Sequence, residues 1–423
     1  MLLKIKNLGK VVSAEVEINA ITVIAGLNDS GKSTVGKALF SVLSSFYGID
    51  SKIAQEKLSA INKVVEAVRH KESGRVIRRF DGYEFAEFIV EKLSESEITD
   101  THTRKDVINS ALQGDHFYQR HAELVDFDKV TNDILRIADI SDDEALVVVL
   151  RNRLQTEFSM QINNMHCAAD KMTEIAIDMD GLSVKISVND NDKIGISGDL
   201  NLSSEIIYID DPYAMDNHRQ LSFLSPALSN NLSHREHLRM CLNVPKILSS
   251  IDEIITTKKL DGILERLNLV CPGEIIKNNN RSFAYKRNDT ESSLDVKNVS
   301  TGLKTFAIIK TLLLNGSLDN SGMIILDEPE IHLHPEWQLI FAELIILMQK
   351  EFNMRILLNT HSPYFLKAIE VHSLKHGIAN KIRYYITENS GNSSNILDVS
   401  DNIEAIYAKL ARPLQDLENV RYS

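Results

Sequence analysis

The stretch "GLNDSGKST" at 26–34 sets two glycines, Gly26 and Gly31, around four other residues and follows them with Lys32 and Ser33. Glycines at those places let backbone N–H groups turn inward around a β-phosphate. A helix starting just after them adds the positive end of its dipole. Lys32 can neutralise β- and γ-phosphate oxygens, and Ser33 can place a hydroxyl on Mg2+. Far down the chain, "MIILDEPE" ends an apolar run in Asp327 and Glu328. Two adjacent carboxylates at the end of a buried strand are costly unless something compensates them. A metal ion and a polarised water do so: Asp327 can hold Mg2+ through water, and Glu328 can act as general base on the attacking water. "LLNTHSP" then puts His361 at the end of a further apolar run, within reach of a γ-phosphate and that water. The bland reading of each piece is a Gly-rich turn, an exposed acidic strand end and a structural histidine. Their joint occurrence outweighs it.

A second cradle raises a question. "VSTGLK" at 299–304 offers Ser300 and Gly302 at a loop-to-helix junction. Ser300 reads as an ordinary N-cap. An N-cap is also where an anion binds. Because this segment follows a helical lobe, it is expected some distance from its own Lys32. Ser300 and Gly302 then make sense if they close on the nucleotide of a second copy. Two chains head to tail would enclose two ATPs.

Strands and helices must position these groups. "AITVIAG" is a short apolar run ending in glycine, as a buried strand would, and "SGKSTVGKALFSVLSSF" reads as the helix after it. "GMIILDEPE" and "MRILLNTHS" read as two more buried strands, separated by the helical pattern "PEWQLIFAELIILMQKEF". The expectation is an α/β fold with a mostly parallel sheet, an antiparallel β element at the N-terminus and a large helical insertion. Ligand should bind outside the carboxyl ends of the strands. The expected parts are an N-terminal piece of the core (1–48), a charged helical insertion without proline (49–158), a β-rich piece (159–212), a helical lobe (213–290) and a C-terminal piece of the core (291–423).

The 423 residues are 43% hydrophobic and 25% charged, which suits a globular chain, and the net charge of −12 disfavours broad nucleic-acid binding. Three scattered cysteines suggest neither a disulfide framework nor a zinc cluster. The start lacks a signal-peptide core, the apolar runs are short, and a cytoplasmic protein is expected, with no membrane partner. "SHREHLRMC" places His234, His237 and Cys241 at helical spacing, but without a fourth metal ligand in view it reads as a solvated helix face. Arg69, Lys71, Arg75, Arg78 and Arg79 form a basic stretch that suits a phosphate backbone, an acidic partner or, more commonly, a solvated face.

Taken together, "GLNDSGKST", "VSTGLK", "MIILDEPEIHLHPEW" and "LNTHSPYFL" resemble the ABC-type ATPases of the OLD, RecF and SMC group. The similarity is greatest to the stand-alone ATPase subunits of bacterial anti-phage defence systems (PtuA- or AriA-like). It covers roughly 1–45 and 290–410, and "DEPEIHLHP" followed by "THSP" is its most specific part. It implies a Walker A loop over Gly26–Thr34, including Asn28, Ser30 and Thr34. It implies a signature at Ser300–Lys304, Walker B at Asp327 and Glu328, a switch histidine at His361 and a D-loop in "EIHLHP". It further implies a glutamine for the metal, for which Gln161 is the candidate. The signature departs from the transporter form, with Thr301 before Gly302 where two consecutive glycines are usual. The implied activity is ATP hydrolysis with Mg2+ in a homodimer or higher homo-oligomer that controls a separate effector, a nuclease or toxin. A RecF- or SMC-like DNA-repair ATPase that binds DNA directly is the alternative, so nucleic acid stays open as a partner. The insertion and the altered signature argue against a transporter subunit. Too few residues follow His361 for the nuclease domain that OLD proteins carry there.

Overall fold

The structure, a computed structural model, describes residues 1–73, 80–93, 100–115, 118–119, 125–166, 172–189, 193–216, 232–245, 250–278 and 282–422. Two compact units are present. One holds Met1–Tyr47 and the described residues from Arg153 onward, and the other is Gly48–Asn152.

The larger unit is built on an 11-stranded mixed sheet in the order β6-β5-β4-β1-β2-β14-β13-β3-β12-β11-β7. The strands are β1 (Leu2–Leu8), β2 (Val11–Glu17), β3 (Ile21–Ala25), β4 (Thr173–Met179), β5 (Leu182–Val188), β6 (Ile194–Gly198), β7 (Ile206–Ile209), β11 (Met323–Asp327), β12 (Arg355–Thr360), β13 (Ile382–Ser390) and β14 (Ser393–Asp398). From β13 to β7 every pairing is parallel. Here β3, β11 and β7 are buried at every position, as strands covered on both faces must be. The other half, β6-β5-β4-β1-β2, is antiparallel, and β1 alternates buried with exposed positions. A second sheet of three strands, β10-β9-β8, is formed by β8 (Gly273–Lys277), β9 (Phe283–Arg287) and β10 (Ser293–Asp295). The segment expected to be a helical lobe, 213–290, thus ends in strands.

The helices of this unit are α1 (Lys32–Phe46), α7 (His234–Asn243), α8 (Ser250–Val270), α9 (Thr301–Leu314), α10 (Pro335–Phe352), α11 (Pro363–Lys375) and α12 (Glu404–Tyr422). A continuous apolar core joins Val23, Ile324, Leu326, Ile356 and Leu358 of the sheet to Phe306, Phe341, Phe365 and Ile369 of the helices. α9 is buried nearly all round, so its two lysines need partners inside the protein. Lys304 Nζ meets both oxygens of Asp216, at 2.7 and 2.8 Å. Lys310 Nζ donates to Asn268 Oδ1 and to the carbonyls of Cys271 and Gly273.

The second unit contains α2 (Ile49–Ser73), α3 (Phe80–Leu93), α4 (Thr101–Gly114), α5 (Phe127–Ala138) and most of α6 (Asp142–Glu157). Its own core gathers Ile61, Val65, Ile89, Ile108, Leu112, Tyr118 and Ile134. It ends at Asn152 rather than at 158. The last turn of α6 packs with the larger unit because its charges find partners there: Arg153 donates to the Leu232 carbonyl, and Glu157 accepts from the His234 N–H. The side chains of the basic stretch from Arg69 to Arg79 lie outside the described residues. No helix among the described residues is long and apolar enough to cross a membrane.

Candidate nucleotide site

β3 delivers the chain into a loop and α1 carries it away. Gly31 takes φ +87, a left-handed conformation that favours glycine. The loop is braced from behind. A Cβ on Gly31 would stand 2.7 Å from Ser394 Oγ, and one on Gly26 would stand 1.8 Å from Thr387 Oγ1. Thr387 also donates to Ser30 Oγ, and Ser30 Oγ donates to the Leu27 carbonyl. Strands β13 and β14 therefore fix the curvature of a loop that precedes them by some 350 residues.

A cavity of about 380 Å³ opens beside the loop. It is lined by Lys10, Asn28, Asp29, Ser30, Gly31, Lys32, Ser33, Thr34, Asp210, Asp327, Glu328 and Ile331. Lys32 is 4% exposed, and its ammonium is fully engaged. It donates to the Gly26 and Leu27 carbonyls at 3.0 and 2.8 Å and pairs with Glu328 Oε1 at 2.9 Å. Glu328 holds φ +51, a strained backbone for a residue with a side chain. Its N–H donates to the Asn359 carbonyl, which pins that conformation.

Asp327 is locked from two sides. Tyr208 Oη donates to Oδ2 at 2.8 Å and Asn359 Nδ2 to Oδ1 at 3.0 Å. Burial, reinforced by the Asp327 charge, pushes the Tyr208 phenol far above its ordinary value, so it stays a donor. His361 follows β12. Its Nδ1 lies 3.4 Å from Glu328 Oε1 and is buried without a hydrogen-bond partner. Behind it stands Glu330, 2% exposed, which accepts from the Thr360 hydroxyl and the His361 N–H. Burial pushes the Glu330 carboxyl above its ordinary value, against the hydrogen bond from Thr360.

The glycine cradle, Lys32 and the acids Asp327 and Glu328 fit a nucleoside triphosphate with Mg2+. Ser33 and Asp327 are the residues that would hold the ion. Each Asp327 oxygen takes one side-chain hydrogen bond, which leaves further lone pairs.

Ser300 and Gly302 lie outside this cavity's lining. Ser300 is the N-cap of α9 by backbone conformation, but its side chain makes no capping hydrogen bond. Gly302 has a packing reason within the chain. A Cβ there would stand 2.8 Å from the His332 carbonyl and 3.2 Å from the Trp337 ring. His334 is the N-cap of α10, with Pro335 opening that helix. Gln161 is neither on a helix nor among the lining residues. It sits in a turn after α6, where Ser159 and Met160 both have positive φ.

Asp210, just past the carboxyl end of β7, lines the cavity without any expectation from sequence. Lys10, Tyr208 and Glu330 were also missed. For Glu330 a signal existed, since it stands two residues beyond Glu328 in "DEPE". His237 finds an acid, Glu205, at 2.6 Å, with Cys241 Sγ close by. Sγ lies 4.0 and 3.8 Å from the two ring nitrogens, nearly equidistant and so off both lone-pair directions. A close histidine–glutamate contact beside a buried thiol accounts for this trio.

His234 is buried between two carboxylates. Its Nδ1 lies 2.5 Å from Glu157 Oε2 and its Nε2 3.0 Å from Asp210 Oδ2.

The family model for the AAA ATPase domain matches residues 1–366. The chain belongs to this ATPase family. Among curated proteins it is similar to a retron Vc95 probable ATPase of Vibrio cholerae serotype O1 biovar El Tor, 31% identical over 104 residues, 22% of this chain and 19% of that protein. It is also similar to a retron Ec83 probable ATPase of Escherichia coli, 34% identical over 89 residues, 18% of this chain and 16% of that protein. The matched part is under a fifth of either relative's length. Among solved structures, the SMC head domain from Thermotoga maritima gives a TM-score of 0.38 at 11% identity, covering 94% of this chain and 98% of that one. An SMC head domain with an extended coiled coil from Pyrococcus furiosus gives 0.43 at 12%, covering 99% and 98%. Scores this low leave the fold to be read from the chain itself.

Two outcomes follow for this ATPase. Gly302→Ala should lower stability by roughly 1–3 kcal/mol, because the methyl meets a carbonyl and a ring that are both packed. A melting temperature equal to wild type would refute the contact. Burial pushes the His234 imidazole down, but the Asp210 and Glu157 carboxylates outweigh burial and lift it from 6.5 to about 9. A raised pKa stabilises the fold fully below the unfolded value and loses that contribution as pH rises through about 9. The stability deficit of His234→Gln, on the order of a few kcal/mol near pH 6, should therefore shrink towards pH 10 in urea titrations. A deficit independent of pH would mean that His234 is not held as a cation.

Proposed function

We propose that the chain hydrolyses ATP with Mg2+, works as a dimer or higher homo-oligomer in the cytoplasm, and switches a separate effector, a nuclease or toxin, in anti-phage defence. The observation that carries the ATPase part is the meeting of Lys32 and Glu328 in one cavity wall with Asp327 fixed beside them, while His361, outside the lining, brings its Nδ1 to 3.4 Å from Glu328. The effector part is supported by the resemblance to defence ATPases and by two relatives whose names are those of retron ATPases.

In this reading the loop from Gly26 to Thr34 wraps the β-phosphate with its N–H groups. Lys32 exchanges its loop carbonyls for β/γ oxygens. Mg2+, held by Ser33 and Asp327, would neutralise the triphosphate charge. Glu328 takes the proton of the attacking water. His361 points its free Nδ1 toward the same carboxylate and senses the γ-phosphate. Glu330 orients His361 through its backbone N–H. Lys304 has no part in phosphate binding, since Asp216 occupies it and it lies over the Tyr213 ring.

Glu328→Gln removes the anion that pairs with Lys32. ATP should bind at least as tightly as to wild type, while turnover falls roughly a hundredfold or more. Near-normal turnover would mean that another group activates the water. Lys32→Ala is the companion control and should lose ATP binding.

If Ser300 and Gly302 serve the partner's nucleotide, chains carrying Lys32→Ala and Ser300→Arg, each inactive alone, should recover part of the hydrolysis when mixed. Both defects then fall on one composite site and the other is intact. A verified mixed dimer that neither closes on ATP nor hydrolyses it would refute the head-to-tail arrangement.

A further inference from the structure

β7 runs parallel to β11 with Ile209 opposite Leu326. The next residues, Asp210 and Asp327, therefore stand on neighbouring strands at the same edge of the sheet. Both line the cavity with Ser33 and Glu328. Asp210 is held firmly. Arg235 Nε lies 3.0 Å from each of its oxygens, Arg235 Nη2 lies 2.7 Å from Oδ2, and His234 Nε2 adds a contact at 3.0 Å. Both partners come from the first turn of α7, whose start is fixed by a capping box between Ser233 and Glu236. Among the described residues Oδ1 accepts only from Arg235 Nε, which leaves it a lone pair. Burial pushes this carboxyl up, but His234 and Arg235 outweigh it and bring it down to about 2. It is an anion at any working pH.

A fixed anion beside Asp327 acts in opposite senses on the two forms of the ligand. It repels the bare triphosphate and attracts the hydrated metal ion. We propose that Asp210 is a positioning residue of the ATP site, whose carboxylate accepts a hydrogen bond from water on the Mg2+ that Ser33 and Asp327 would hold. It does the work for which Gln161 was the sequence candidate. This rests on the ATPase reading of the site.

The test compares ATP affinity with Mg2+ and with EDTA, on the full chain, by calorimetry. In wild type Mg2+ strengthens binding. In Asp210→Asn that gain should fall roughly tenfold, the scale of one charge-assisted hydrogen bond. Affinity in EDTA should be equal or tighter, because a repelling charge is gone. A purely structural anchor for α7 predicts lower stability with an unchanged Mg2+ gain, and that result overturns the proposal. If the Asn variant does not fold, Asp210→Glu replaces it, keeping the charge for Arg235 but displacing it by one methylene. A reduced gain supports the assignment, and a wild-type gain overturns it. Wild type that binds no ATP would instead defeat the ATPase reading itself. Wild type that binds ATP, with Lys32→Ala that does not, leaves the Asp210 result to stand alone.

Discussion

Four parallel strands in one register set everything else. Ala25 of β3 pairs with Thr360 of β12, Asn359 of β12 pairs with Asp327 of β11, and Leu326 of β11 pairs with Ile209 of β7. Their carboxyl ends fall on one edge, where Gly26, His361, Glu328 and Asp210 emerge in a row. That alignment explains why residues from opposite ends of the chain form one site. It also creates a problem, since polar groups gathered at the rim of an apolar sheet must satisfy one another. Tyr208 and Asn359 answer for Asp327, Thr360 and the His361 N–H answer for one oxygen of Glu330 while the other has no hydrogen-bond partner among the described residues, and the loop carbonyls with Glu328 answer for Lys32.

The Lys32 arrangement has a functional consequence. An ammonium has three protons, and here three acceptors take them. Phosphate oxygens therefore compete with internal partners rather than with water alone. Glu328 would be released from Lys32 by the same event that brings its substrate. On the proposed reading, the base would be held by the lysine until the triphosphate took that lysine over. Glu328 holds its strained φ while its carboxylate lines the cavity.

The strands β3, β11 and β12 were legible because burial on both faces makes them continuous apolar runs ending in Gly, Asp or His. The glycine loop was legible because its spacing is local. Asp210 was not, since "YIDDP" reads as a strand ending in two acids, and which acid lines the cavity depends on β7 pairing with β11 far along the chain. Its clamp, His234 and Arg235, looked like a solvated helix face for the same reason. Order along the chain points to Gln161 but says nothing about the turn that carries it. The small sheet shows the same limit: β8 and β9 fall in the segment expected to be a helical lobe, and β10 falls just beyond it. Its strands are short, and what holds them is pairing with one another.

The two halves of the second cradle now separate. Gly302 is accounted for inside one chain, because the His332 carbonyl and Trp337 leave no room for a side chain. Ser300 is not. Its hydroxyl makes no cap, it is exposed, and the first N–H groups of a helix have no partners within that helix. The buried Lys304–Asp216 pair and the contact of Tyr213 Oη with Thr301 Oγ1 hold that helix start rigid. An exposed helix start whose serine makes no capping bond is a place where an anion could be received. Water can serve those donors, and in the proposed head-to-tail dimer a phosphate held on a second copy would take its place.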